Sequence, residues 1–210
     1  MRILYVSGAR IPSEKAHSLQ TLQTTAAMCR IGHDVELWTP FRFRERDANG
    51  HSTMGVPLRV LTAPDLLPIE RLLPAALRVP AFALQSSVYG AIAAAKARRE
   101  HPDLCFTREW LIADWLDRLG LPYILEEHRS HVERPRARAR IAAMAGGDRM
   151  RRLAVVTHGL ADAYRAAGAP ASKVAIVPDA VDVEAFGRET PTQEARRRFD
   201  LPADGPIVGY

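Results

Sequence analysis

The sequence predicts an α/β domain with a Rossmann-like, doubly wound parallel sheet covered by helices on both faces. Short apolar runs that indicate strands alternate with longer segments whose apolar residues recur at helical spacing. The strand segments are apolar throughout, which is typical of parallel strands buried on both faces. With 210 residues, of which 47% are hydrophobic, the chain is long enough for one sizeable core.

The first 39 residues predict one β-α-β unit. A strand at residues 3–6 leads into a helix at 16–31, which ends at Gly32, and a second strand follows at 35–39. In a parallel sheet such a connection crosses over right-handed. Further strands are predicted at 58–61, 104–107, 122–126, 153–157 and 174–177, and further helices at 81–99, 110–119 and 160–167.

Composition and charge narrow the class of protein. The formal net charge of +5 suits nucleic acid, anionic lipid or phosphorylated ligands without choosing among them. The apolar run at 3–6 is too short for a signal peptide, and the uncharged stretch at 79–95 is too short and too polar to span a membrane. We therefore expect a cytoplasmic protein in which Cys29 and Cys105 are buried, reduced thiols.

Three irregular or basic segments complete the chain. Four prolines between residues 64 and 80 are expected to prevent a long helix there. Residues 134–152 are rich in arginine and are predicted to be partly helical, with an interruption at Gly146-Gly147. The stretch 41–46 combines phenylalanine with arginine. Both basic segments are explained by solvated surfaces, or alternatively by peripheral contact with an anionic membrane. They lack the interleaved aromatic platform of RNA-binding domains, so nucleic acid is not expected as a partner.

Phosphate-loop motifs are missing from the sequence. No G-x-G-x-x-G follows the first strand, where Gly8 stands alone, and no G-x-x-x-x-G-K-[ST] occurs anywhere. Dinucleotide-binding and P-loop enzymes are therefore disfavoured. The loop at 7–18 can still present backbone N–H groups to an anion at the start of the following helix.

The carboxyl ends of the strands are the expected ligand site, because parallel α/β sheets bind ligands there. Arg108 follows one such strand and can bind a carboxylate or phosphate, or pair with Glu109 or Glu126. Glu127 and His128 follow the next strand. A histidine beside carboxylates can orient a hydroxyl or move a proton, although a solvated loop is equally consistent. A metal is not expected, because no second histidine lies four residues from His128.

Three segments together resemble the N-terminal domain of family 4 glycosyltransferases, whose GT-B fold has two facing Rossmann-like domains. The first runs from the strand at 1–6 through Ile11-Pro12-Ser13-Glu14-Lys15-Ala16-His17-Ser18 to Gly32-His33-Asp34-Val35. The second joins Phe106-Thr107-Arg108 to Leu125-Glu126-Glu127-His128. The third runs from Val155-Val156-Thr157 to Val177-Pro178-Asp179-Ala180-Val181-Asp182, which is similar to the family's P-[ND]-G-V-D segment.

The resemblance also implies a division of the chain. Residues 1–186 correspond to the N-terminal domain, 187–205 to an interdomain linker, and 206–210 to the first strand of a second domain that binds the nucleotide-sugar. Ala180 replaces the family's usual glycine, and the first loop lacks the paired glycines of many members. Because the donor site belongs to the second domain, this chain is expected to be inactive on its own.

The resemblance implies a hexosyltransferase-type enzyme that moves a sugar from a nucleotide-sugar, its co-substrate, to an acceptor hydroxyl, with retention and without cofactor or metal. His128 is expected to hydrogen-bond the transferred sugar as the catalytic residue. Substrate-binding roles are expected for Gly8, His17, Arg108, Glu127 and Asp179. The expected acceptor is a glycan or lipid-linked molecule of cell-envelope synthesis, at the inner face of the plasma membrane. A nucleotide-sugar epimerase of the same fold and a non-catalytic binding module are the alternatives.

Overall fold

The computed structural model describes residues 1–9, 11, 16–40, 55–61, 74–129, 134–181, 183–187 and 190–208. They belong to two compact units, Met1–Pro178 and Asp179–Tyr210. The basic stretch predicted at 41–46 lies outside the described residues, as does most of the proline-rich stretch.

The first unit is built on a seven-stranded parallel sheet. Its strands are β1 Arg2–Val6, β2 Asp34–Pro40, β3 Leu58–Leu61, β4 Leu104–Thr107, β5 Tyr123–Glu127, β6 Met150–Val155 and β7 Val174–Ile176. Their order across the sheet is β3-β2-β1-β4-β5-β6-β7. The chain winds outward from β1 in one direction and from β4 in the other, so the switch point lies between these two strands.

In the described part of the first unit, five helices connect these strands. They are α1 Ala16–Arg30, α2 Ala75–Glu100, α3 Trp110–Arg118, α4 Pro135–Gly146 and α5 His158–Ala166. Among the helices in the described ranges, none combines the length and the apolar composition that crossing a membrane requires.

Alternate residues of β1 point to opposite faces of the sheet and so divide the core in two. Leu4 belongs to a buried cluster with Tyr89 of α2 and Ile112 of α3. Tyr5 belongs to a second buried cluster with Leu22 of α1. The prediction of a doubly wound parallel sheet with helices on both faces is therefore confirmed.

The start of α2 differs from the sequence prediction. The helix was expected from residue 81, after the last proline, but it begins at Ala75 and contains Pro80. The first four N–H groups of any helix have no partner inside it, so Pro80, the sixth residue, removes only one hydrogen bond near the helix end. Residues 76–80 are exposed, which leaves room for the proline ring.

The arginine-rich segment is partly helical, as predicted, and its helix α4 ends at Gly146. Its last part begins β6 at Met150 rather than at residue 153. Met150 is buried while Arg151 and Arg152 are exposed. Of the two cysteines, which are free, Cys105 is buried as predicted but Cys29 is only half-buried. Burial raises the pKa of the Cys105 thiol to about 12.

Two short helices lie in the described residues of the second unit, α6 Val183–Phe186 and α7 Thr192–Arg198. The Arg196 guanidinium donates hydrogen bonds to the carbonyl oxygens of Pro202 and Gly205, at 2.6 and 2.7 Å. Residues 206–208 have no regular secondary structure, and 209–210 lie outside the described residues. The linker at 187–205 and the second-domain strand at 206–210 stay predictions.

A carboxylate at the end of α2 ties this helix to the sheet. Glu100 accepts a hydrogen bond from Arg2 Nη2 of β1 at 2.6 Å and another from Arg59 of β3. Partial burial acts to raise the pKa of Glu100, but the hydrogen bonds from Arg59 and Arg2 outweigh it and lower this pKa below its ordinary value.

Replacing Glu100 with glutamine should lower the free energy of unfolding by about 1 kcal/mol at neutral pH. Because the pKa of Glu100 is lowered in the folded state, its contribution is present above the ordinary carboxyl pKa and disappears as pH falls through the lowered one. Urea unfolding at neutral and acidic pH measures both effects. The assignment is wrong if the difference between the two proteins stays constant across this range.

Candidate active site

A cavity of about 570 Å³ opens where β4 and β5 end. Its walls come from α1, from the first half of α2, from the start of α3 and from the segment that follows β5. The lining residues are His17, Gln20, Arg78, Val79, Phe82, Ala83, Ser86, Arg108, Glu109, Trp110, Leu111, Glu127, His128, Arg129 and Arg134. The cavity therefore contains four of the six predicted site residues, namely His17, Arg108, Glu127 and His128.

Arg108 is the buried cation of this site, with 7% of its side chain exposed. Its Nη1 and Nη2 atoms donate to Gln20 Oε1 of α1, at 3.2 and 3.1 Å. Its Nε lies 3.4 Å from Glu126 Oε1, and its Nη2 lies 2.5 Å from His128 Nε2. Of the two interpretations left open by the sequence, ion pairing with Glu126 is therefore present, whereas Glu109 is engaged elsewhere.

His128 is held between a cation and a carboxylate. Its Nε2 atom lies 2.5 Å from Glu126 Oε1 and also 2.5 Å from Arg108 Nη2. The two contacts need different tautomers, because Nε2 must carry a proton to donate to Glu126 and a lone pair to accept from Arg108. A shift of this one proton between the ring nitrogens therefore exchanges one partner for the other. Such a histidine is both oriented and able to change its hydrogen-bonding role.

Glu109 fixes the loop that follows β1. Its Oε1 accepts hydrogen bonds from the Gly8 N–H at 3.1 Å and from Ser7 Oγ at 3.3 Å. Its Oε2 accepts from Thr107 Oγ1 at 3.1 Å, and His17 Nε2 lies 3.6 Å from Oε1. The same carboxylate thus contacts the ends of β1 and β4, on either side of the switch point, together with the start of α1.

Glu109 was not among the predicted site residues, although it lies between a predicted strand and a predicted helix, where ligand sites of such sheets are expected. It is the N-cap residue of α3 and has an extended backbone, but its side chain makes no capping hydrogen bond. Glutamate, unlike aspartate, is not among the residues that commonly cap a helix from this position. The side chain contacts Ser7 and Gly8 instead. This contact forms because the sheet places the loop after β1 next to the end of β4.

Glu127 joins the end of β5 to α5. Its side chain is almost fully buried, and its Oε2 lies 3.2 Å from the Tyr164 hydroxyl, which can donate to it. The same hydroxyl lies 3.1 Å from the Arg129 carbonyl, so one proton is shared between two acceptors. Burial and the charge of Glu127 both raise the pKa of Tyr164, which keeps the hydroxyl protonated. Asp179, the remaining predicted residue, is the first residue of the second unit.

Replacing Glu109 with alanine should release the loop after β1. The Gly8 amide would lose a charged acceptor, so its hydrogen exchange should accelerate at least about tenfold. Glu109→Gln is the matched control, because an amide oxygen can still accept from the Gly8 N–H. NMR hydrogen exchange measures this rate directly. An unchanged Gly8 exchange rate in Glu109→Ala would show that other contacts hold the loop.

Comparison with known protein families identifies the family of this chain. Residues 17–180 match the model of the glycosyl transferase 4-like domain. That match covers most of the chain and includes nearly all of α1, the cavity and the strands from β2 to β7. No protein of curated function matches the chain in sequence. The chain belongs to the glycosyl transferase 4-like family.

Solved structures show the same architecture at low sequence identity. HepE from Anabaena, in complex with UDP and glucose, superposes with a TM-score of 0.63 at 11% identity, over 95% of this chain and 50% of HepE. Sucrose-phosphate synthase from Thermosynechococcus elongatus gives 0.61 at 17% identity, over 98% of this chain and 54% of the synthase. The lipopolysaccharide outer core galactosyltransferase WaaB gives 0.55 at 11% identity, over 87% and 47%. The chain thus spans about half the length of these proteins, and its fold is that of one half of a GT-B glycosyltransferase.

Proposed function

We propose that this chain is the acceptor-side half of a glycosyltransferase that moves a hexose from a nucleoside-diphosphate sugar to an acceptor hydroxyl, with retention of configuration. The observation that carries the proposal is the placement of His128. It lines a cavity at the carboxyl ends of β4 and β5 and is held there by Glu126 and Arg108. The complexes of HepE with UDP and glucose support a nucleotide-sugar as the donor.

His128 is proposed to hydrogen-bond a hydroxyl of the transferred sugar. Its Nε2 is paired with Glu126 or with Arg108 according to the tautomer, so its orientation is set before the sugar arrives. Arg108 would hold this arrangement and contact the acceptor. The reaction is proposed to need no cofactor or metal, since the leaving diphosphate would be stabilised by a second, donor-binding domain.

The loop around Gly8 fits acceptor contact better than phosphate contact. The Gly8 N–H already donates to Glu109, and that carboxylate would repel a donor phosphate. A carboxylate is instead a good acceptor for a sugar hydroxyl. We therefore assign Gly8, His17 and Glu109 to the acceptor side. Glu127 would keep β5 in position, and Asp179 is retained as a proposed substrate contact.

The cellular setting is proposed to be cell-envelope polysaccharide or glycolipid synthesis at the cytoplasmic face of the membrane. Exposed arginines at 136, 149, 151 and 152 support contact with anionic lipid. Arg140 does not contribute, because its guanidinium bonds Asp114 at 2.6 Å. Vesicle sedimentation with and without anionic lipid tests the contact.

The activity test uses the protein in which residues 1–210 are joined to a donor-binding domain, here termed the two-domain protein. It is incubated with a panel of nucleoside-diphosphate sugars and envelope acceptors, and released nucleoside diphosphate is measured. Acceptor-dependent release supports the proposal. Interconversion of nucleotide-sugars without any acceptor would instead identify an epimerase, and the absence of any turnover would favour a binding module.

A further inference from the structure

The cavity at the ends of β4 and β5 is lined by two chemically different sets of residues, here called the apolar wall and the cationic wall. The apolar wall consists of Val79, Phe82, Ala83, Trp110 and Leu111. The cationic wall consists of the four arginines of the lining, which outnumber its two carboxylates: Arg78, Arg108, Arg129 and Arg134. A ligand that satisfies both walls must combine an apolar portion with negative charge.

The apolar wall extends to the rim of the cavity on α2. Val79 and Phe82 line the cavity yet remain 56% and 53% exposed, so this wall is open at its edge. The two residues lie three positions apart, so they share a face of the helix. Together they leave an exposed apolar edge against which an alkyl chain could pack.

The cationic wall has charge available for a ligand. Arg129 follows His128 directly, and Arg134 precedes the first turn of α4. In the ranges that the structure describes, neither arginine takes part in an ion pair. The N-terminus of α4, which follows Arg134, adds a helix dipole that favours negative charge.

The two carboxylates of the cavity offset only part of this charge, because four arginines line the cavity with them. Glu109 accepts hydrogen bonds from Ser7, Gly8 and Thr107, and Glu127 is buried beside the Tyr164 hydroxyl. Both carboxylates already accept hydrogen bonds from the protein's own groups, and each keeps its negative charge. The remaining charge of the lining favours an anion near Arg129 and Arg134.

We propose that this cavity takes an acceptor that is an anionic amphiphile, with a phosphate group near Arg129 and Arg134 and an alkyl chain along Val79 and Phe82. This inference rests on the proposed function only in so far as the ligand is called an acceptor. The binding preference itself does not require sugar transfer. The volume of about 570 Å³ is sufficient for a phosphate, a hydroxyl-bearing ring and several methylene groups.

The test is calorimetric titration of residues 1–210 with three probes below their micellar concentrations. n-Octyl phosphate carries both features, n-octyl glucoside carries only the chain, and inorganic phosphate carries only the charge. We expect n-octyl phosphate to bind at least about tenfold more tightly than either other probe. Equal affinity for n-octyl phosphate and n-octyl glucoside would overturn the proposal.

Matched variants locate the two walls. Arg129→Gln combined with Arg134→Gln should weaken n-octyl phosphate at least about fivefold while leaving n-octyl glucoside unchanged. Phe82→Ser should weaken both octyl probes but not inorganic phosphate. Arg151→Gln, an exposed arginine of β6 that does not line the cavity, is the control. Equal weakening by Arg151→Gln would show nonspecific charge attraction and contradict the cavity assignment.

The result of the n-octyl phosphate titration can be distinguished from the result of the sugar-transfer assay. If the two-domain protein transfers sugar while n-octyl phosphate shows no preference, the glycosyltransferase stands and the anionic amphiphile is wrong. If n-octyl phosphate binds as expected and no nucleotide-sugar is turned over, the cavity assignment stands and the transferase is wrong.

Discussion

Replacing His128 with alanine should lower the kcat of the two-domain protein by about 10²- to 10⁴-fold, with a much smaller change in KM. The proposed role of His128 is a hydrogen bond that strengthens as the sugar–phosphate bond breaks, so its loss falls on the transition state rather than on binding. Initial rates at varied donor concentration measure both constants.

His33→Ala is the control for this experiment. His33 lies between α1 and β2, at the opposite end of the strands from the cavity, and should leave kcat unchanged. Glu126→Gln provides a second test, because it weakens the charged partner of His128 without removing the ring. Full activity of His128→Ala would remove the catalytic assignment.

Replacing Gly90 with leucine should lower the free energy of unfolding by about 3 kcal/mol. Gly90 is buried where α2 crosses α3, and a Cβ there would lie 3.1 Å from Ile112 Cα and 3.1 Å from Trp115 Cδ1. One of these atoms belongs to the backbone, so a larger side chain can be accommodated only if the helices separate. That separation would open the core under β1 and β4.

Gly159→Leu is the matched control for this substitution. Gly159 lies in α5 and is exposed, and a Cβ added there would meet no atom within 4 Å outside its own stretch of helix. Leucine there should change the free energy of unfolding by less than about 0.5 kcal/mol. Urea unfolding of the three proteins measures the difference. If both variants lose the same amount, close packing at Gly90 does not limit stability.

Most of the fold could be predicted from the sequence because buried parallel strands are distinctive in composition. The run Ile3-Leu4-Tyr5-Val6 has no polar position, so it has to be buried on both faces, and both core clusters draw on it. The start of α2 could not be predicted in the same way. Pro80 is a strong local signal against helix, yet its cost is small when it lies in the second turn of an exposed helix end.

The candidate site could be predicted only in part. Rules of fold geometry place Arg108 and His128 at the ends of adjacent parallel strands, and the structure brings them into contact. The hydrogen bonds of Glu109 to Ser7 and Gly8 span about a hundred positions of sequence, and no local pattern encodes them. Part of the apolar wall was missed for a related reason: Val79 belongs to α2 only because the helix begins earlier than its prolines suggest.

The most direct test of the central claim compares sugar transfer by residues 1–210 with transfer by the two-domain protein. Radiolabelled nucleoside-diphosphate sugars and a membrane acceptor fraction are supplied to each, and labelled acceptor is counted. We expect transfer by the two-domain protein, none by residues 1–210, and a loss of at least about 10²-fold in the two-domain His128→Ala variant. Transfer by residues 1–210 alone would show that the donor-binding domain is not required, and undiminished transfer by the His128→Ala variant would show that His128 is not catalytic.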